Sequence, residues 1–301
     1  MLVVYHKPVL VEEVLTYLNP QPGKVYLDVT FGGGGHTRAI LEREPHCSVI
    51  ALDWDSVALE KNGYPLQDEF PGRLTLLWGN FSQVDRHLKK EHLGPVDGIL
   101  ADFGTSQYQL LERAGFSFNN DTPLDMRMSP AHQKVTAAEI INKATENKLF
   151  EIFRDLGQET RAKKIARVIV QERSIKPIVT TRQLAQLIER IVPRGAKKIH
   201  PATQVFQALR MYVNKELENI HSFLIASLRI LKPEGRVACI SFHSLEDRLV
   251  KNFFREHAVM QPLLELVTAH VVQATEEEVR VNASSRSAKL RVAQLKKSEI
   301  V

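Results

Sequence analysis

The chain has 301 residues, 44% of them hydrophobic and 25% charged, enough apolar material for one large core or two smaller ones. That balance excludes a disordered or fibrous chain. Forty Lys and Arg stand against 35 Asp and Glu, a net charge of +5, which permits a polyanionic partner without demanding one.

The N-terminal fifteen residues are apolar but broken by His6, Lys7, Pro8, Glu12 and Glu13. No apolar run in the chain is long enough to span a bilayer, so neither export nor a membrane partner is expected. Four β-rich runs follow, each ending in turn signals: Val25–Thr30, Ser48–Asp53, Arg73–Trp78 and Val96–Asp102. Helical patterns such as His36–Glu44 and Trp54–Asn62 lie between them. Strands alternating with helices over a hundred residues predict a parallel sheet covered on both faces, a doubly wound α/β start. The two cysteines, Cys47 and Cys239, sit inside separate apolar runs and form no C-x-x-C pair. A disulfide framework or zinc knuckle is therefore not indicated, and a reducing cytoplasm is the expected compartment.

From Thr136 to Val192 only helical periodicity is present, over Thr136–Asp155, Glu159–Arg173 and Thr180–Val192. Beyond Pro201 the apolar positions Phe206, Leu209, Val213, Leu217, Ile220, Leu224, Leu228 and Leu231 predict one amphipathic helix roughly 40 Å long. A strand then resumes at Arg236–Phe242, followed by a helix from Ser244 and a closing strand pair, Leu264–Val272 with Leu290–Leu295. The sheet is thus interrupted and resumed, which predicts a core built from 1–110 and 201–301 with an all-helical insertion over 111–200. Residues 151–200 hold 12 Lys and Arg against 5 Asp and Glu. A solvated helical face and a nucleic-acid surface both read this way.

The run Leu27-Asp28-Val29-Thr30-Phe31-Gly32-Gly33-Gly34-Gly35-His36 leaves a strand and enters a helix, the place where an α/β sheet binds a nucleotide-like ligand. Thr37 stands where a dinucleotide loop counted from Gly32 and Gly34 would carry its third glycine. Asp53 ends the second strand, where a carboxylate can accept hydrogen bonds from both hydroxyls of a ribose. These features favour an adenosine ligand without a pyrophosphate, of which S-adenosylmethionine is the common one; a tight turn that binds nothing is the plainer alternative. Asp102, at the end of the fourth strand, is the candidate catalytic group. A carboxylate there can accept an N–H hydrogen bond from a poorly nucleophilic amine, and it can equally hold backbone N–H groups. His36, Phe81 and Gln109 are open between ligand contact and packing. No spacing of His, Cys or carboxylates resembles a metal site.

At these residues the chain resembles the bacterial 16S ribosomal RNA (cytosine-N4)-methyltransferase family (RsmH/MraW). The resemblance runs the length of the chain: His6–Leu10, Asp28–His36, Asp102–Gln109, Gly115–Phe118, Pro123–Met128, His200–Thr203, Phe206–Arg210, Val213-Asn214, Ser241–Arg248 and Arg286–Arg291. It departs at Val29, Gln107 and Leu111, where the family commonly has Gly, Ser and Asp. The resemblance implies a class I, Rossmann-like S-adenosylmethionine-dependent methyltransferase core with a helical insertion for substrate. It also implies methylation of a decoding-region cytidine in the small ribosomal subunit. Gly34, Gly35, His36, Asp53, Phe81, Asp102 and Gln109 would then line the cofactor site, with Gly32 in the same loop.

A buried methyl donor reaches a base amine only if the base is unpaired or turned out of its stack. Arg127, within a segment containing Phe116, Phe118, Met126 and Met128, is a candidate RNA contact, as are His243, Arg286, Lys289 and Arg291; the two phenylalanines read first as core. Ser244 with Asp247 reads as a helix cap. A homodimer is compatible with the sequence and not required by it. Rival readings are a methyltransferase of another substrate, a nicotinamide-dependent dehydrogenase, and a ribosome-assembly factor that keeps the fold without turnover.

Overall fold

The computed structural model describes residues 8–104, 114–192 and 200–297. The chain divides into two compact units, one formed by 1–106 with 217–301 and the other by 107–216. The helical unit therefore extends further at both ends than the expected insertion, and it includes the Thr203–Asn214 helix.

In the first unit, β1 (Val25–Asp28), β2 (Ser48–Asp53), β3 (Leu74–Trp78), β4 (Val96–Asp102) and β5 (Leu231–Ser241) form a parallel array. The remaining strands are β6 (Leu264–Leu266), β7 (Val272–Gln273) and β8 (Lys289–Leu295). The order is β3-β2-β1-β4-β5-β8-β6, with β8 antiparallel to β5 and β7 also paired to β8. This is a class I, Rossmann-like α/β sheet whose order reverses between β1 and β4, the position at which such sheets bind ligands. The run expected as one strand, Leu264–Val272, is two short strands on the same partner. Trp54–Asn62, expected as one helix, begins as Ser56–Ala58, widens into a π-helical turn at Leu59–Gly63 and continues as Tyr64–Glu69.

Period-2 alternation explains the burial on both faces of the sheet. Leu27, Ile99, Val237 and Cys239 point into one apolar layer, with Phe223, Leu224 and Phe254 from helices Glu216–Ile230 and Ser244–Val259. Tyr26, Leu100, Ala238 and Ile240 point into the other, with Leu15, Ile40 and Leu41 from helices Val11–Leu18 and Gly35–Arg43. At the amino-terminal edge, Asp97 joins three elements. Its Oδ2 accepts from the Val25 backbone N–H at 3.0 Å and from Lys232 Nζ at 2.8 Å, and its Oδ1 accepts from Lys24 Nζ at 3.0 Å.

The helical unit packs helices Ala137–Lys143, Glu146–Asp155, Ala162–Ile175, Thr181–Ile191 and Thr203–Asn214 around Phe153, Ile165, Ile169, Leu184, Ile188 and Leu209. Thr136–Asp155 is two helices because the Thr145 hydroxyl accepts from the Lys148 N–H and starts a new one. Thr136 and Thr180 form capping boxes with Glu139 and Gln183. The expected 40 Å helix is likewise interrupted. Lys215 adopts the left-handed conformation (φ 51°) between Asn214 and Glu216. Asn214 is engaged elsewhere: its Nδ2 donates to Met126 O at 2.8 Å and its Oδ1 accepts from Met128 N at 2.9 Å.

Replacing Asp97 with Ala leaves the Val25 N–H without its acceptor and removes both lysine partners. Urea unfolding is expected to show a loss of about 2 kcal/mol; a loss below about 0.5 kcal/mol, the size of an ordinary surface substitution, would contradict this reading of the edge.

Candidate active site

The carboxyl ends of β2, β1 and β4 lie side by side and carry Asp53, Asp28 and Asp102. The loop after β1 is held from both neighbours: the Val29 N–H donates to Leu100 O and the Phe31 N–H to Leu52 O. Asp28, buried beneath it, accepts from the Thr30 N–H at 3.1 Å and from the Thr37 hydroxyl at 2.7 Å. Burial raises its pKa, against the opposing pull of His36 and the two threonines. The Thr37 that argued against a dinucleotide loop thus ties the first helical turn to the strand end.

Asp53 reaches the loop from the second strand. Its Oδ2 accepts from the Gly32 N–H at 2.6 Å and its Oδ1 from the Asp55 N–H at 2.8 Å. Burial pushes its pKa up to about 7, with these two N–H donors pulling the other way. Gly32 has φ 51°, and among the described residues a side chain there would meet only Thr30 O, at 3.8 Å. Its left-handed conformation favours glycine, and the surface above it is open among the described residues. Gly34 and Gly35 are needed for a different reason. A Cβ on Gly34 (φ 75°) would lie 2.7 Å from the Phe31 ring, and one on Gly35 would lie 2.7 Å from Pro8 Cγ. Pro8 and Val9 therefore pack directly on the glycine turn. Asn62 Nδ2 donates to Gly32 O at 3.2 Å, a support that sequence spacing did not single out.

Asp102 is anchored through its backbone, its N–H donating to the Thr30 hydroxyl at 2.7 Å. Its side chain is only 16% exposed, and Oδ1 is buried with no hydrogen-bond partner among the described residues. Oδ2 lies 3.7 Å from His36 Nδ1. His36 Nε2 is 2.8 Å from the Val9 carbonyl, which can only accept, so Nε2 carries a proton and Nδ1 faces the carboxylate. Burial pushes the Asp102 pKa up to about 7; His36 opposes the rise, and Asp28 and Glu246 add to it.

Phe81 stands near the carboxyl end of β3, in the 3-10 turn Phe81–Gln83, and is half-buried. Its ring centroid is 5.9 Å from those of Phe103 and Phe223, in the core of the sheet. Gln109, Gln107 and Leu111 lie outside the described residues. Gly32, Gly34, Gly35, His36, Asp53 and Asp102 are gathered around one turn.

Several of the expected RNA contacts are already engaged within the chain. Arg127 holds Asp125 bidentately at 2.7 and 2.8 Å and donates to Gln133 O at 3.1 Å. Arg291 pairs with Asp247 at 2.7 Å, and Lys289 lies 3.7 Å from the same carboxylate. Asp247 therefore does not cap the helix. His243 is the cap, one residue earlier than expected: its Nδ1 accepts from the Glu246 N–H, and Glu246 accepts from the His243 N–H at 3.3 Å. Arg286 is exposed in the turn Ala283–Ser287. Phe116 is buried, and Phe118 stacks on His200 and packs edge-on against Phe206 within the helical unit.

A model of the MraW methylase family matches residues 3–296. The chain belongs to the MraW methylase family. Relatives named ribosomal RNA small subunit methyltransferase H are similar over nearly all of it. The protein of Syntrophotalea carbinolica is 46% identical, over 96% of this chain and 97% of its own. That of Thermomicrobium roseum is 45% identical over 96% and 93%, and that of Sinorhizobium medicae 48% identical over 96% and 86%. As an MraW methylase the chain is a methyltransferase enzyme.

A carboxyl whose folded pKa is raised from 3.8 to about 7 destabilises the fold where it is ionised. The folded state binds the extra proton between those values, so stability falls as pH rises from about 4 to 7 and is flat above. At pH 8 the cost for Asp102 is on the order of 4 kcal/mol. Asp102→Asn is expected to raise Tm at pH 8 and to raise it much less at pH 4.5; scanning calorimetry at both pH values checks this, and an equal or negative shift at pH 8 would count against a destabilising carboxylate.

Proposed function

We propose that this chain transfers the methyl group of S-adenosylmethionine to the exocyclic N4 of a cytidine in 16S ribosomal RNA of the small subunit, in the cytoplasm. The observation that carries the reading is the Asp102 carboxylate, whose Oδ1 lies buried without a partner among the described residues beside the Gly32–Asp53 turn. A buried acceptor in that state matches a substrate that brings an N–H donor.

The residues fit the cofactor. Asp53 keeps accepting capacity beyond its two backbone donors and would take the ribose hydroxyls. The open face of Gly32 lets the ligand approach the backbone, and the buried Asp28 holds the turn that supports it. Gln109 and the exposed edge of Phe81 would complete the contacts. When bound, S-adenosylmethionine supplies an electrophilic methyl group on a sulfonium.

The chain's task is then alignment and proton management. The lone pair of a cytosine amine is delocalised into the ring, so the amine is a poor nucleophile. Asp102 Oδ1, accepting one N–H, localises that pair and receives the proton the nitrogen must lose. With both ring nitrogens protonated, His36 beside Oδ2 favours the ionised carboxylate beforehand. Close positioning supplies much of the remaining acceleration. The target base must be unpaired or flipped to enter, and holding that strand is the role assigned to the helical unit.

The test is transfer of labelled methyl to unmethylated small subunits and to naked 16S rRNA, with nucleoside mass spectrometry. The expected product is N4-methylcytidine, with kcat reduced roughly 10²–10⁴-fold in Asp102→Ala; methylation at another atom, or an unaffected variant, would refute the assignment. Because the ionised carboxylate is the active form, the rate should rise with pH through about 7 and level off. In Asp102→Asn the residual rate should lose that step, and a wild-type rate flat between pH 5.5 and 8.5 would contradict the role.

A further inference from the structure

We infer that the exposed cationic stripe of the Ala162–Ile175 helix, made of Arg161, Lys163, Lys164 and Arg167, binds ribosomal RNA phosphates. The inference rests on the rRNA reading above and locates its docking surface. The helix is clearly two-sided: Ala162, Ile165, Ala166 and Ile169 are buried, whereas Arg161, Lys163, Lys164, Arg167 and Gln171 are exposed. Spacings of three and four residues put these cations on one face.

They are also available. Among the described residues, Lys163 and Lys164 form no ion pair, and Arg161 reaches only the Ile191 carbonyl, at 3.5 Å. Arg167 meets Glu146 at 3.7 Å, with 59% of its side chain exposed. The only acidic residue within the helix, Glu172, lies beyond the cluster and is drawn to Arg190 at 3.5 Å. Arg127, Lys289 and Arg291, by contrast, are held by carboxylates of the chain itself.

The placement of the stripe works against the helix that carries it. Arg161 is the N-cap residue and makes no side-chain capping bond; no acid lies in the first turn, and the buried Glu159 carboxylate just before the helix accepts the Arg161 backbone N–H at 2.8 Å. Cations at that end oppose the helix dipole, and repel one another at these spacings. Local stability would favour Glu, not Lys, within the first turn. An exposed cluster in which Lys163 and Lys164 have no ion-pair partner among the described residues is complementary to a polyanion, and RNA phosphates relieve both the repulsion and the conflict with the dipole.

The experiment compares the full-length wild type with Lys163→Gln/Lys164→Gln. Binding to naked 16S rRNA and to unmethylated small subunits is measured by fluorescence anisotropy across a salt series, alongside Tm and steady-state methylation. The expected result is rRNA affinity and KM weakened about tenfold near 0.15 M salt, and a slope of log K against log salt shallower by about 2. Tm should be no lower than that of the wild type, and kcat at saturating subunits should be unchanged. Unchanged affinity and slope would overturn the inference, as would weakened binding to subunits with undiminished binding to naked rRNA, which would indicate a ribosomal protein as the partner. If the wild type binds rRNA and the variant does not, yet neither forms methylcytidine, the docking surface stands and the catalytic reading fails.

Discussion

Three carboxylates end three adjacent strands of a parallel sheet, and the geometry of the site follows from how each is compensated. Asp28 is enclosed by Thr30 and Thr37, and Asp53 by the backbone of Gly32 and Asp55. Asp102 has only a histidine nitrogen 3.7 Å from one oxygen and nothing among the described residues on the other. Burial disfavours the charge on all three. The first two accept from the backbone and side chains that shape a turn, Asp53 with accepting capacity to spare, and the third keeps an unmet demand for a donor. A site of this kind trades stability for pre-organisation, since the acceptor is in place before any donor arrives.

The glycine turn connects this chemistry to the rest of the core. Pro8 fills the space a Gly35 side chain would need, and Val9 O orients His36. The segment is secured in turn by residues near the other end of the chain: the Leu10 N–H donates to Glu278 at 2.8 Å, and Asn282 donates to Pro8 O at 3.4 Å. Chain segments more than 250 residues apart therefore determine which nitrogen of His36 faces Asp102. The left-handed Gly32 adds an open approach to the same acceptor.

Much of this was legible in the sequence because it depends on local rules. Strand-loop-helix alternation revealed the sheet, and Asp28, Asp53 and Asp102 were readable as strand-end carboxylates next to glycines. What was not legible depends on partners distant in sequence. Apolar spacing continues through Lys215 as if one helix persisted, but Asn214 is drawn to Met126 and Met128 and the backbone turns. Arg291 looked like a free strand cation until Asp247, on a helix 44 residues away, was placed beside it. Thr37 was read by what it is not, a glycine, whereas its hydroxyl has a positive task on Asp28. The helix starts at Thr136 and Thr180 carried a local signal, a threonine three residues before Glu or Gln, and were read correctly, whereas the start missed at Thr145 has Lys148 in that place.

The central claim is that Asp102 is a buried carboxylate held ready, incompletely compensated, for a donor that the substrate brings. The most direct measurement is a 13C NMR titration of the Asp102 carboxyl carbon in the ligand-free protein, assigned by comparison with Asp102→Asn. Here we predict a midpoint of about 7 that moves higher in His36→Asn, because the imidazole opposes the rise. A midpoint near the ordinary 4 of an exposed aspartate, insensitive to His36, would contradict the account.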